Sequence, residues 1–387
     1  MAITWSLLLI ALSCYIIWKA CDGFEVASEY LGRNLSEGVR GATINAIASS
    51  IPELFTTLFF LFIMHDSGGF AGGVGTTAGS AVFNGVIIPA LVILSVLFLG
   101  VSQQVSVSKK VVLRDGLFLI LGEILLIYFI SGTHLYWWHG LALMLFYGVY
   151  VSYMLISMKK NGTEEQDTAE EEEQEEDNAN QKSMIASLLS LDLENVVIGK
   201  KQISNANAWT LLLLATGVIG AACAILVHGC EALAVSLNIP IYFIAVIVAA
   251  AATSVPDTII SVRDSMKGNY DDALSNALGS NIFDICFALG LPLFLFTSIY
   301  GPLTMSAETI ADITELQLIL LFITIIIFFI FYIGEQMGRF KAFALLLIYV
   351  LFVAFIVGSS ADAQWTIPIS ENLQSIVHLF DSLRFWI

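Results

Sequence analysis

Two stretches of this chain carry the same polar residues in the same order. "AIASSIPEL" (46–54) holds Ser49, Ser50, Pro52 and Glu53, and "AAATSVPDT" (250–258) holds Thr253, Ser254, Pro256 and Asp257 at a constant offset of 204. A second pair follows each. "GSAVFN" (79–84) matches "GSNIFD" (279–284) at an offset of 200, which puts Ser80 and Asn84 in register with Ser280 and Asp284. On a helix, Ser49 and Ser50 share the face of Glu53, Thr253 and Ser254 that of Asp257, and Ser80 and Ser280 those of Asn84 and Asp284. Pro52 and Pro256 lack a backbone donor and displace the carbonyls four residues earlier, so the carbonyls of Ala48 and Ala252 join the set. Hydroxyl, amide, carbonyl and carboxylate oxygens without His or Cys suit calcium or sodium and are poor for zinc or copper.

The elements that must position these groups are membrane helices. Of 387 residues, 57% are hydrophobic and 13% charged, and several apolar runs reach the about 20 residues that cross a bilayer core. Backbone in lipid must satisfy its own hydrogen bonds, and helices do so. The alternation of a membrane barrel is missing. The expected fold is therefore an all-α polytopic membrane protein of ten transmembrane helices, near 3–22, 39–63, 72–100, 113–131, 136–157, 208–236, 241–262, 273–297, 315–334 and 341–360. Residues 1–157 form one five-helix half, 158–207 an acidic linker, 208–360 a second half and 361–387 an amphipathic tail. The first run lacks a basic leader and a small-residue cleavage site, so it reads as a retained helix rather than a signal.

If connections alternate sides, 14 of the 16 Lys and Arg fall on one side, that of the linker. The positive-inside rule then puts the linker in the cytoplasm and both termini outside, in a cell (plasma or inner) membrane. Glycosylation-type tripeptides at Asn34 and Asn161 fall on the inner side and are discounted. Ten carboxylates between Glu164 and Asp177 repel one another and read as a solvated, disordered tether. Each half has an odd number of spans, so the repeated two-helix units, about 39–100 and 241–297, enter the membrane in opposite orientations. Inverted repeats of this kind place an ion or substrate site near the midplane where their interrupted helices meet. Three carboxylates in the membrane, Glu53, Asp257 and Asp284, point to a polar site rather than to packing, because each unpaired one costs about 2.5–3.5 kcal/mol.

These motifs resemble the repeats of the calcium/cation antiporter superfamily, which includes sodium/calcium exchangers. The family pattern, "G-T-S-[LIV]-P-E" followed by "G-S-N-[IV]-x-[ND]", stands here as "ASSIPE" with "GSAVFN" and "ATSVPD" with "GSNIFD". The resemblance implies that Glu53 and Asp257 are a central calcium-binding pair, helped by Ser50, Ser254, Ser49 and Thr253. It implies that Asn84 and Asp284, with Ser80 and Ser280, complete neighbouring sodium sites. It further implies exchange of sodium for calcium by alternating access, the first and sixth helices sliding against the rest. Alanines 48 and 252 replace the family's glycine, Ser49 replaces its threonine and Asp257 is one methylene shorter than its glutamate. Aspartates at 257 and 284 also resemble the potassium-dependent branch, so K⁺ stays a candidate companion ion.

The expected partners are membrane lipid and the ions Ca²⁺ and Na⁺, not nucleic acid. The chain reads as a transporter without a resident cofactor rather than an enzyme. A calcium/proton exchanger of the same fold is the nearest rival. An intramembrane aspartyl protease using Asp257 and Asp284 lacks its glycine–aspartate signature and leaves Glu53 idle. Asn45, two turns before Glu53, reads as an interhelical hydrogen bond before an ion-path residue. The five cysteines read as small buried apolar residues, and Glu25 and Glu231 as solvated groups at helix ends.

Overall fold

Long apolar runs leave the backbone few partners but itself, and the chain answers with helices. The computed structural model describes residues 2–33, 39, 41–102, 105–161, 187, 190–199, 201–334 and 336–384. The acidic run Glu164–Asp177, Asn34, and Gly162 and Thr163 of the second tripeptide lie outside them. The first half contains α1 (Ala2–Gly32), α2 (Ala46–Ser49), α3 (Ile51–Met64), α4 (Ser67–Phe98), α5 (Lys109–Ile130) and α6 (Trp137–Asn161). A short α7 (Leu193–Val197) precedes the second half. That half contains α8 (Asn205–Leu237), α9 (Ile241–Ile244), α10 (Ala250–Thr253), α11 (Val255–Met266), α12 (Tyr270–Phe283), α13 (Gly290–Tyr300), α14 (Ala307–Tyr332) and α15 (Arg339–Ser360). An amphipathic α16 (Ile367–Arg384) follows.

Eight helical stretches are long and apolar enough to cross a membrane, and the bent pair Thr43–Ser49 and Ile51–Met64 makes up to nine. Helix α5 stands where a further span is expected but carries Lys109, Lys110, Arg114, Asp115 and Glu123. Helix α1 runs to Gly32 rather than stopping near residue 22, because Lys19, Asp22 and Glu25 continue its helical register. Glu25 is not simply solvated: its Oε2 accepts from Arg263 at 2.5 Å, and Arg263 also reaches Asp22 at 3.1 Å.

The interruptions fall at the repeated motifs. Ser50 (φ −93°, ψ 7°) divides α2 from α3 with a 44° bend, and Ser254 (φ −79°, ψ 1°) divides α10 from α11. The prolines therefore open new helices instead of kinking old ones; in a first turn, the missing N–H has no intrahelical partner to lose. π-helical turns occupy Gly41–Asn45, Ala245–Ala249 and Asp284–Ala288, wide turns that are frequent at functional sites.

Helix α1 packs along α8. Their shared apolar layer includes Ile17, Cys21, Ala215, Leu226 and Cys230. Ala48 and Ala252 belong to this layer, both nearly fully buried. Their methyl groups thus pack toward the α1–α8 pair, a packing role that glycine would leave empty. All five cysteines are free thiols; four are buried and Cys14 is half-buried. The larger core lies on the other side of the repeats, among α4, α5, α6, α12, α13, α14 and α15.

Among the described residues, four two-residue strands tie the connections together. β1 (Val105–Ser106) pairs antiparallel with β4 (Gln336–Met337), and β2 (His134–Leu135) with β3 (Leu303–Thr304). Helix α5, roughly 33 Å long for its 22 residues, separates β1 from β2, so the two small sheets lie at opposite ends of the molecule.

Candidate ion-binding site

The two breaks face each other across the molecule's interior, and α4 and α12 pass beside them. Glycine makes that approach possible. A Cβ on Gly79 would lie 2.1 Å from the Val246 carbonyl oxygen and 2.7 Å from the Ala250 Cβ, distances at which no side chain fits. The α4 backbone therefore touches the π turn leading to Asp257.

Around this contact the side chains of the two halves interlock. Ser49 Oγ donates to Asp257 Oδ1 at 2.5 Å, and Ser280 Oγ donates to the same oxygen at 2.6 Å. Asn84 Nδ2 reaches the other carboxylate oxygen, Oδ2, at 3.4 Å. Ser80 Oγ lies 3.0 Å from Glu53 Oε1, 2.9 Å from Ser254 Oγ and 3.3 Å from Asp284 Oδ2. Ser80 thus touches Glu53, Asp284 and the second break together. Ser49, Ser50, Glu53, Ser80, Asn84, Thr253, Ser254, Asp257, Ser280 and Asp284 are all essentially inaccessible to solvent.

The interlock leaves some oxygens without partners. Among the described residues, Ser50 Oγ, Glu53 Oε2, Asn84 Oδ1 and Asp284 Oδ1 are buried and make no hydrogen bond. Native structures satisfy the large majority of such atoms, so four in one neighbourhood call for an explanation. Thr253 parallels Ser49: its hydroxyl lies 3.1 Å from the carbonyls of Ala249 and Ala250, as that of Ser49 lies 2.9 Å from the Asn45 carbonyl, and it also interacts with Glu53 of the other half. Among the described residues, no three His, Cys, Asp or Glu side chains gather as a carboxylate- or thiolate-only metal cluster would. The oxygens that do gather are mixed, with hydroxyl and amide groups outnumbering the three carboxylates. They match the weakly charged, oxygen-only ligation of hard cations.

A scan against protein families matches the description "Sodium/calcium exchanger protein" over residues 5–156 and 207–358. The chain belongs to the sodium/calcium exchanger family. As a member of it, with the helices counted above, it is an integral multi-pass membrane protein of a secondary-transporter family. Among curated relatives, it is 40% identical over 150 residues to the mouse sodium/potassium/calcium exchanger 4, a match covering 38% of this chain and 22% of that one. It is 41% identical over 145 residues to the human sodium/potassium/calcium exchanger 3, covering 36% and 21%. The matched region thus spans about a fifth of those relatives' length. Its fold is similar to that of the sodium-calcium exchanger NCX_Mj soaked with Na⁺ and Ca²⁺, with a TM-score of 0.57 at 21% identity over 90% of this chain and 97% of that one.

Some polar members of the site escape the motif reading. Asn276 lies 3.4 Å from Ser49 Oγ through its Oδ1, while its Nδ2 donates to Ser261 Oγ at 2.9 Å and reaches the Asp257 carbonyl at 3.4 Å. It sits two turns before Asp284, where the first half has Thr76 instead, so the repeat gives no signal for it. Asn45 donates to Asp264 Oδ2 at 3.3 Å, an interhelical bond of the kind its spacing suggested. Two further buried carboxylates lie in α5 and belong to neither repeat motif. Asp115 is held by Arg114 at 2.6 and 2.8 Å, by Tyr150 at 3.1 Å and by Ser275 at 3.2 Å. Glu123 accepts from Thr324 at 2.7 Å.

Proposed function

We propose that this protein is a secondary active antiporter that exchanges sodium for calcium at a site midway through the membrane, by alternating access. The observation that carries the reading is the interlock itself. Glu53 and Asp257 come from different halves, their hydroxyl partners cross between halves, and unpaired oxygens of Ser50, Glu53, Asn84 and Asp284 remain in the same neighbourhood. One Ca²⁺ or several Na⁺ neutralise such a set. Occupancy by one then excludes the other, and coupling follows. Glu53 and Asp257 hold calcium with Ser50, Ser254, Ser49, Thr253 and the Ala48 and Ala252 carbonyls; Asn84 and Asp284, helped by Ser80 and Ser280, complete the sodium positions.

We read the architecture as ten spans in two inverted halves, with α5 included. The strand pairs support this. By the repeat, β1 corresponds to β3 and β2 to β4, yet β1 pairs with β4 and β2 with β3. An operation that carries one half onto the other therefore swaps the two end sheets, as a two-fold axis in the membrane plane would. The linker end is cytoplasmic on the distribution of Lys and Arg, and both termini lie outside.

A second reading has a specific observation behind it. The relatives about 40% identical are named sodium/potassium/calcium exchangers, and the aspartates at 257 and 284 fit a potassium-dependent cycle. Vesicles loaded with Na⁺ and diluted into Na⁺-free medium test both readings by uptake of radiolabelled Ca²⁺, with and without K⁺ or a pH gradient. Sodium-driven uptake that Glu53→Ala abolishes supports the proposal. Uptake that ignores the sodium gradient and follows pH would replace it with calcium/proton exchange.

A further inference from the structure

Asn276 is fully buried on α12, one turn before Ser280 and on the same face. Its amide has one orientation. Nδ2 reaches the Asp257 carbonyl at 3.4 Å, a group that only accepts, and donates to Ser261 Oγ at 2.9 Å. The nitrogen therefore faces α11, and Oδ1 is turned toward Ser49 Oγ, 3.4 Å away. Ser49 does not satisfy that oxygen. Its hydroxyl has a single proton, and Asp257 Oδ1, a charged acceptor at 2.5 Å, takes it. Among the described residues no other group donates to Asn276 Oδ1, so a buried amide oxygen is left without a partner.

The oxygens beside it are spaced for a cation. Ser49 Oγ stands 3.3 Å from Ser280 Oγ and 3.4 Å from Asn276 Oδ1, longer than ordinary hydroxyl hydrogen bonds. Around a Ca²⁺-sized cation with bonds of about 2.4 Å, neighbouring ligands of an octahedron stand about 3.4 Å apart. Asp257 Oδ1 closes the group, 2.5 Å from Ser49 and 2.6 Å from Ser280. Ser49 also has a second acceptor, the Asn45 carbonyl at 2.9 Å, to which its proton turns when a cation takes the proton's place beside Asp257. The first half has no such group. Thr76 stands at the position of Asn276, and its hydroxyl donates to the Gly72 carbonyl at 2.9 Å, one turn back on its own helix.

We propose that Asn276 is an ion ligand: its amide oxygen joins Ser49, Ser280 and Asp257 in holding one Na⁺. One carboxylate with three neutral oxygens matches a single positive charge, and all four are hard donors. The assignment rests on the exchange reading above. This Na⁺ shares Asp257 and Ser49 with calcium, so the two ions exclude each other there. Among the described residues the hydrogen bonds of Asn276 run to Ser49, Asp257 and Ser261, none to Ser80 or Thr253 beside Glu53. Calcium, centred on the Glu53–Asp257 pair, therefore does not depend on it.

The test uses purified full-length protein at constant ionic strength, with choline replacing Na⁺. Sodium binding is read from the saturable rise of the thermal unfolding midpoint with NaCl in calcium-free solution, and calcium binding from bound ⁴⁵Ca²⁺ without Na⁺. Asn276→Thr puts the first half's residue into the second. It should raise the half-saturating Na⁺ concentration at least about fivefold and change calcium affinity less than about twofold. Asn276→Asp keeps an oxygen at the same place and adds charge, so it should bring the Na⁺ concentration back to the wild-type value or below. Loss of sodium and calcium affinity by the same factor in Asn276→Thr, without recovery in Asn276→Asp, would make the residue a prop for α11 and overturn the proposal. Unchanged sodium binding in both variants would overturn it too. Should Asn276→Thr not fold, Asn276→Asp decides alone: equal or tighter Na⁺ binding supports the ligand, weaker binding refutes it. A wild type that binds calcium but gives no saturable response to Na⁺ would instead remove the exchange reading, and this ligand with it.

Discussion

Ser49 Oγ lies 2.5 Å from Asp257 Oδ1, although the two residues are 208 positions apart. Within its own repeat Ser49 shares a helical face with Glu53, but its hydroxyl serves the carboxylate of the other half. Ser80 of α4 and Ser254 of the second break, 2.9 Å apart, add a further contact between the halves. The site is thus made between the halves, and either break alone supplies only part of it.

The Ser49–Asp257 bond gives the first prediction. A hydrogen bond to a charged group contributes about 1.5–3 kcal/mol, so Ser49→Ala should weaken apparent calcium affinity by roughly tenfold or more. Ser49→Thr, which keeps the hydroxyl and matches Thr253, should recover most of it. Calcium titration of transport in vesicles reads the effect, and equal affinity in all three proteins would remove Ser49 from the site.

Asn84 is the neutral counterpart of Asp284. Its Nδ2 approaches Asp257 Oδ2 at 3.4 Å, so Asn84→Asp turns an attraction into a repulsion between like charges and adds a carboxylate to the set. The added charge should favour divalent over monovalent occupancy. We expect a lower half-saturating Ca²⁺ concentration and weaker competition by Na⁺; a shift toward Na⁺ would show that residue 84 does not face the ions.

Gly79 tests the close approach of the halves. Its notional Cβ would sit 2.1 Å from the Val246 carbonyl oxygen, whereas that of Gly148 on α6 has nothing within 4 Å. Gly79→Ala should cost more than about 3 kcal/mol or prevent accumulation of folded protein. Gly148→Ala, a favourable change in an open helix position, should be neutral or slightly stabilising. Thermal unfolding of the two purified variants compares them directly, and equal midpoints would contradict the contact.

Arg114 and Asp115 form a largely buried pair, with side-chain exposures of 12% and 0%. Removing one partner of such a pair strands the other, at a cost of about 3–5 kcal/mol. Arg114→Met should therefore lower the unfolding midpoint markedly, and adding Asp115→Asn should restore much of it. A double variant no better than the single one would mean that Tyr150 and Ser275, not the arginine, carry Asp115.

The motifs made most of this geometry readable. Proline next to a carboxylate in two apolar runs marked the breaks, and the serines and Asn84 fell where helical spacing put them. Partnership was harder to read. Spacing within a helix says which residues share a face but not which helix that face meets, so the pairing of Ser49 with Asp257 was not foreseen. Asn276 and Glu123 escaped because each stands alone, without a counterpart in the other half. The alanines at 48 and 252 explained themselves only once the α1–α8 layer was seen to cover them. Helix α1 outran its apolar stretch because Asp22 and Glu25 have Arg263 to answer them.

Main chain against main chain at Gly79, and the looser fit of Gly75 against the Tyr242 carbonyl at 3.1 Å, also limit how the molecule deforms. Surfaces pressed together without side chains between them have no lubricating layer, so α4 and the segment leading to Asp257 behave as one rigid block. Shear between them would drive backbone into backbone. On the alternating-access cycle proposed above, displacement would then fall to the surface beneath α1 and α8, to which Ala48, Ala245, Ala249 and Ala252 contribute methyl groups among larger apolar side chains. On that proposal the ion-holding core is the stator, and the slack of the machine lies in its outer pair of helices.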